Sequence, residues 1–279
     1  MENAESLKNL VKEKYAAIAE QSTNENKSSC CGAGGCSTEV YSIMSDDYSN
    51  LEGYNKDADL GLGCGLPTEY AKLKSGDTVF DLGSGAGNDC FIARSIVGDT
   101  GKVVGIDMTE IMIAKARENA DKLNFHNVEF RLGEIEKIPS GPDKADVIIS
   151  NCVLNLVPDK AKAFAEIFRV LKSGGHFSIS DVVLVGELPN ALKNASEMYV
   201  GCVAGAMQKD EYLAIIKNAG FKNINILKEK IILIPDDILL AYLSSTEIEN
   251  MKNSKAGIFS ITVYADKESS CCDKDVCCK

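Results

Sequence analysis

The stretch "VFDLGSGAGND" (residues 79–89) constrains this chain more than any other. An apolar run ends in a turn carrying Gly83, Gly85 and Gly87, and a helical pattern follows at once. Strand, glycine loop and helix in that order are the opening of a parallel α/β unit, whose ligands bind at the carboxyl ends of the strands. The glycines run G-x-G-x-G, whereas a dinucleotide fingerprint runs G-x-G-x-x-G, and Asn88 stands where its last glycine belongs. That departure argues against a diphosphate, which needs the helix N-terminus opened to it. Asp81, at the strand end, would repel phosphate and attract a cation.

The rest of the chain continues the alternation. Strands are expected at 78–83, 102–108, 128–133, 145–151 and 176–183, with helices at about 88–97, 109–123 and 159–171. Lys172, Ser173, Gly174 and Gly175 read as the close of the last helix. Short apolar strands separated by helices predict a parallel sheet covered on both faces. Segments 224–230 and 258–265 read as an antiparallel edge, with 186–220 mostly helical. Leu7, Leu10, Val11, Tyr15 and Ile18 share one helical face, so an amphipathic helix is expected over 4–20.

Asp107 closes the second strand, 22 residues after Gly85, where such folds receive ribose hydroxyls. A nucleoside without a diphosphate, carrying a cationic amino-acid end, satisfies both acidic positions; S-adenosylmethionine is such a molecule. D-x-G-x-G-x-G with an acid closing the next strand is the pattern of class I methyltransferases. Gly133, Glu134 and Ile135, after the third strand, are placed to border the adenine. Ser84, Asn88, Met108 and Asn151 adjoin these positions and complete the candidate cofactor set. The fold class is therefore α/β, a Rossmann-like class I methyltransferase sheet with helices on both faces and a smaller C-terminal α+β region. Its expected divisions are an N-terminal helix and cysteine-bearing arm (1–58), a cofactor core (59–185), a C-terminal region (186–266) and a cysteine-rich tail (267–279).

Composition narrows the partners. Net charge is −11, which disfavours nucleic acid and anionic membranes. No apolar run reaches the ~18–20 residues of a membrane span, and the N-terminus lacks a secretory pattern. The expected address is the cytoplasm, where eleven cysteines are not a disulfide framework. Two histidines supply a zinc site poorly. Cys152, in "SNCVLNLVPDK" (150–160), follows the fourth strand, where a methyltransferase presents its acceptor, although cysteine is also a common core residue. Cys90 reads as core packing. Cys64 in "LGLGCGLP" and Cys202 in "YVGCVAGAM" have small neighbours that leave sulfur accessible. Three thiols near an acceptor pocket suggest a soft, thiophilic acceptor.

On "DLGSGAGNDC" (81–90), "GIDMT" (105–109), "SNCVLNLVPDK", "RVLKSGG" (169–175), "GCVAGA" (201–206) and "GCGLP" (63–67), the chain closely resembles arsenite methyltransferases. The resemblance implies that Cys152 and Cys202 hold trivalent arsenic as thiolates. It implies that Cys64 works with an N-terminal cysteine, binding arsenic and forming a disulfide in turnover. In "CCGAGGC" (30–36), Cys36 is the preferred partner by its spacing from Cys64, with Cys30 and Cys31 as capture residues or reserves. The implied reactants are arsenite, thiol-conjugated arsenicals and S-adenosylmethionine, which leaves as S-adenosylhomocysteine. A thiol reductant, glutathione or a thioredoxin-type protein, is implied as co-substrate. Eukaryotic members carry aromatics where this chain has Gly61 and Leu62, and an acid where it has Gly201. The readings set against this one are a methyltransferase for another small molecule and a thiol-rich metalloid-binding protein on a decayed frame.

Overall fold

The computed structural model describes residues 4–20, 46–189, 191, 205–254 and 256–269. Among these the elements run α1 (Ala4–Glu20), α2 (Pro67–Tyr70), β1 (Thr78–Leu82), α3 (Asn88–Val97), β2 (Lys102–Asp107), α4 (Glu110–Lys122) and β3 (Val128–Leu132). They continue with β4 (Ala145–Asn151), a 3-10 turn (Leu154–Leu156), α5 (Lys160–Val170), β5 (Leu171–Val185), β6 (Met207–Gln208) and α6 (Lys209–Asn218). The last are β7 (Lys222–Ile232), α7 (Asp236–Leu239), α8 (Ser245–Asn253) and β8 (Gly257–Asp266).

One mixed sheet runs β3-β2-β1-β4-β5-β8-β7. β1 to β5 are parallel; β8 lies antiparallel to β5 and β7 antiparallel to β8. The expected edge over 224–230 and 258–265 is thus present. Strand alternation sends Val79, Val103 and Val147 to one face, against Phe91 and Ala93 of α3 and Met112 and Ala116 of α4. Phe80, Val104 and Ile148 go to the other, against Phe164 and Ile167 of α5 and Ile216 of α6. Full burial of each large side chain stabilises the fold by about 1.5–3 kcal/mol, enough to override weak local preferences.

One local expectation fails. Lys172–Gly175 do not cap α5; the helix stops at Val170 and β5 begins at Leu171. The backbone has better partners at long range: Gly174 N donates to Lys267 O at 2.9 Å and Lys267 N to Gly175 O at 2.8 Å. Gly175 is needed there, since a Cβ would meet Asp146 O at 2.8 Å. A register shift between Ala145 and Val147 absorbs the irregularity.

The strand order reverses between β1 and β4, so the loops leaving them diverge and open a crevice. α1 lies over this end, with Val11 and Ile18 buried and Lys115 of α4 reaching Ala19 O at 3.1 Å. No helix among the described residues is long and apolar enough to cross a membrane.

Candidate active site

The glycine loop is held open by its own backbone. Gly83, Gly85 and Gly87 have φ of +75°, +51° and +101°, a region other residues enter only at a cost. Gly83 N and Ser84 N donate to Ile106 O at 2.7 and 3.0 Å, tying the loop to β2. At the end of β2, Asp107 accepts from Gly85 N at 3.0 Å and Thr109 N at 2.8 Å. The ribose-binding candidate therefore also fixes the loop. Asn88 begins α3 and accepts from Asn55 N at 3.3 Å.

A cavity opens over this loop. Every cofactor candidate named from the sequence lines it: Asp81, Gly83, Ser84, Gly85 and Asn88 around the loop, Asp107 and Met108 after β2, Gly133, Glu134 and Ile135 after β3, and Asn151 at the end of β4. Cys152 lines it too. Glu134 does so with its carboxylate engaged by α1: Lys8 Nζ lies 2.8 Å from Glu134 and 2.9 Å from Glu136, and Lys12 lies 3.9 Å from Glu134.

The floor is acidic. Burial pushes Asp81 well above the usual carboxylate range, with Asp89 adding repulsion. Asp89 is pushed up to about 6 by burial, against hydrogen bonds from Asn151 and Tyr48 that favour its charge. Asp107 is raised by burial as well, against backbone donors. No lysine or arginine among the described residues forms an ion pair with any of the three. The Cys90 thiol donates to Asp81 Oδ2 at 3.2 Å, so Cys90 is core, as expected, and also steadies this carboxylate. Ser84 Oγ and Asp89 Oδ1 are buried without a partner. Repelling carboxylates and an idle hydroxyl beside an open glycine loop fit a cationic, hydroxyl-rich ligand and do not fit a phosphate.

Cys64 and Cys152 come from segments far apart in sequence and fall in one buried cluster with Leu156, Val182 and Ile258. Cys152 has φ +59°, a left-handed turn that costs a non-glycine residue about 1–3 kcal/mol and is tolerated where the surroundings enforce it. Here Cys152 N donates to Ser180 O at 2.8 Å. Cys64 is laid against Asn151, whose Oδ1 accepts from Cys64 N at 3.0 Å and whose Nδ2 donates to Gly65 O at 2.9 Å. The flanking glycines permit this: a Cβ at Gly63 would meet Asn151 Nδ2 at 2.8 Å, and one at Gly65 would meet Ser180 Oγ at 2.5 Å. From the other side Ser260 Oγ of β8 donates to Cys64 O. Cys202 and the N-terminal Cys30, Cys31 and Cys36 lie outside the described residues. Among the described residues no three histidines, cysteines or acids cluster as a metal site.

Sequence reasoning missed Tyr48 and Asp89. The Tyr48 hydroxyl lies 3.0 Å from Gly65 O and 3.1 Å from Asp89 Oδ2, and Asn151 Nδ2 donates to both Asp89, at 3.1 Å, and Tyr48. Asp89 offered one cue, an acid just after the glycine loop, but its place in the first turn of α3 already has a local explanation. Tyr48 offered none.

A glycine loop at the switch point of a Rossmann-like sheet, extended by an antiparallel pair, defines a class I methyltransferase fold. Residues 73–220 match the family model described as "Methyltransferase domain", and the chain belongs to that family. It is 43% identical over 235 residues to the arsenite methyltransferase of Halobacterium salinarum, covering 80% of this chain and 59% of that protein. It is 32% identical over 232 residues to the arsenite methyltransferase of Aquipseudomonas alcaligenes, covering 81% of this chain and 65% of the other. The chain thus spans about three fifths of the length of these relatives. Among solved structures, the arsenic (III) S-adenosylmethionine methyltransferase CrArsM from Chlamydomonas reinhardtii is similar at a TM-score of 0.63 and 29% identity, over 83% of this chain and 74% of that one.

Proposed function

We propose that this chain transfers methyl groups from S-adenosylmethionine to trivalent arsenic held by cysteine thiolates. The observation that carries the reading is Cys152 lining the acidic cavity, with Cys64, from a distant segment, in the same buried cluster. When bound, S-adenosylmethionine supplies a methyl group on a positively charged sulfur, and the arsenic lone pair is the nucleophile that takes it. Asp81 and Asp89 offer negative charge to the cationic end, and Asp107 offers its carboxylate to the ribose. Gly85, with open space where a Cβ would stand, lets backbone approach the ligand.

Arsenic(III) is soft and prefers sulfur over the oxygen ligands it carries in arsenite, an extension of the soft-ligand rule. Cys64 and Cys152, with Cys202 and Cys36 as further ligands, would exchange those oxygens for sulfur and aim the lone pair at the methyl. The lone pair carries no proton, so no general base is needed at arsenic. Positioning is then the main catalytic contribution, for which effective-molarity arguments allow about 7–11 kcal/mol. The thiols must ionise to bind; free cysteine titrates near ~8.5, and arsenic binding itself displaces the proton. After transfer arsenic is formally pentavalent. Two thiolates joining as a disulfide return two electrons to it, Cys64 with Cys36 in this reading, and an external thiol such as glutathione or a thioredoxin-type protein reduces the disulfide. A reducing cytoplasm suits that cycle.

Mass spectrometry of the products from arsenite, S-adenosylmethionine and a thiol tests the reading. Methylated arsenic together with S-adenosylhomocysteine is expected. Cys152→Ser should abolish methylation while leaving S-adenosylmethionine binding within about twofold of wild type, because the ligand's anchors lie on other residues. Unchanged turnover in that variant would overturn the assignment.

A further inference from the structure

Asn151, Asp89 and Tyr48 belong to both halves of the site. Asp89 lines the cavity, and its Oδ2 is approached by Asn151 Nδ2 at 3.1 Å and by the Tyr48 hydroxyl at 3.1 Å. The same two groups hold the Cys64 strip: Asn151 Nδ2 donates to Gly65 O at 2.9 Å, Tyr48 OH lies 3.0 Å from that oxygen, and Asn151 Oδ1 takes Cys64 N. Asn151 is also the residue before Cys152, at the start of the left-handed turn.

The donors are overcommitted. The Asn151 amide brings two protons and the Tyr48 hydroxyl one. Yet Asn151 Nδ2 faces three acceptors (Tyr48 oxygen, Gly65 O and Asp89 Oδ2) and Tyr48 faces two. Asp89 and the Gly65 carbonyl therefore compete for the same protons. No cation among the described residues competes on the carboxylate's behalf, and its Oδ1 is buried without a partner.

We propose that this network couples the two ligand sites, so that a positive charge set against Asp89 releases Asn151 and Tyr48 to grip Gly65 and fixes Cys64 relative to Cys152 for arsenic. The cationic cofactor and arsenic then bind with positive cooperativity. Linkage requires the effect to be reciprocal: arsenic tightens the cofactor by the factor with which the cofactor tightens arsenic. The inference rests on the proposed function and adds to it an order of assembly, in which arsenic is held firmly only when the methyl donor is in place.

Equilibrium dialysis of arsenite, read as bound arsenic by elemental mass spectrometry, tests this without turnover. The non-reactive analogue sinefungin, with an amine in place of the sulfonium, stands in for the donor. Wild-type protein should bind arsenite at least about fivefold more tightly with saturating sinefungin, the lower end of typical coupling. Arsenite should tighten sinefungin by the same factor. In Asp89→Asn, which keeps the shape and removes the charge, the factor should fall to within about twofold of one; Tyr48→Phe, which removes the shared hydroxyl, should lower it as well. If one variant fails to fold by circular dichroism, the other decides. Both ligands binding wild type without mutual effect would overturn the coupling and leave the proposed function standing. Failure of either ligand to bind wild type at all would overturn the function, and the coupling with it.

Discussion

Asp89 shows how a single buried carboxylate can make ligand binding depend on pH. Burial holds it at about 6, with Asp81 beside it also raised and Asp59 adding repulsion. Between about pH 4, where an exposed aspartate loses its proton, and about pH 6, the folded protein keeps a proton that the unfolded chain has lost. The cost of Asp89 to folding is therefore absent below that window and complete above it. A cationic ligand reverses the preference, since it favours the ionised form. Affinity for S-adenosylmethionine should weaken about tenfold as pH falls from 7 to 5, and the slope should flatten in Asp89→Asn. Isothermal titration across that range measures it; an equal slope in the variant would place the titrating group elsewhere.

Residues differ in how legible they were. The places of Asp81, the glycines and Asp107 around the cavity were readable because they follow from position along a strand-loop-helix unit, which sequence spacing preserves. Asp89, Tyr48 and Asn151 meet across separations of 41 to 103 residues, and no spacing rule reaches that far. Asn151 was named as a cofactor-binding candidate; its hold on Cys64 emerges only when the strip is folded against β4.

Among the elements, α1 changes meaning most. Its apolar periodicity foretold a helix, and the cavity-lining Lys8, Val11 and Tyr15 make that helix part of the site's wall. Lys8 bridges Glu134 and the mostly buried Glu136. Partly exposed ion pairs add only about 0–1 kcal/mol to stability and weaken in salt. Lys8→Met should therefore speed cofactor dissociation several-fold and reduce its dependence on salt, as stopped-flow displacement would show. A salt dependence unchanged in the variant would count against the Lys8 pairs as what holds this wall in place. β5 was legible in its middle and not at its start, because Gly174 and Gly175 signal a local turn, whereas Lys267, beyond β8, supplies the partner that extends them.

At the scale of the whole molecule, the C-terminal pair β7–β8 completes the sheet and also underpins the cysteine strip. β8 pairs with β5 from His176↔Asp266 to Val185↔Gly257. Ser260 Oγ reaches Cys64 O, and Thr262 Oγ1 lies 2.8 Å from Ser180 Oγ, beneath Gly65. Ser260→Ala should cost about 1 kcal/mol in chemical denaturation, typical of one buried hydrogen bond. Because neither Ser260 nor Cys64 lines the cavity, it should weaken arsenite binding while leaving cofactor binding unchanged. Equal losses for both ligands would show instead that the sheet responds as one body. The antiparallel edge was foreseeable from two apolar stretches; its service to a cysteine nearly two hundred residues earlier was not.

The crowd of carboxylates under the glycine loop, without an ion pair among the described residues, bears finally on turnover. Methyl transfer from a sulfonium erases one positive charge and leaves a neutral thioether. A floor built of Asp81, Asp89 and Asp107 would attract such a reactant more strongly than the spent product. Under the proposed function, the electrostatics that draw the donor in would thereby loosen its remnant and clear the site for the next donor.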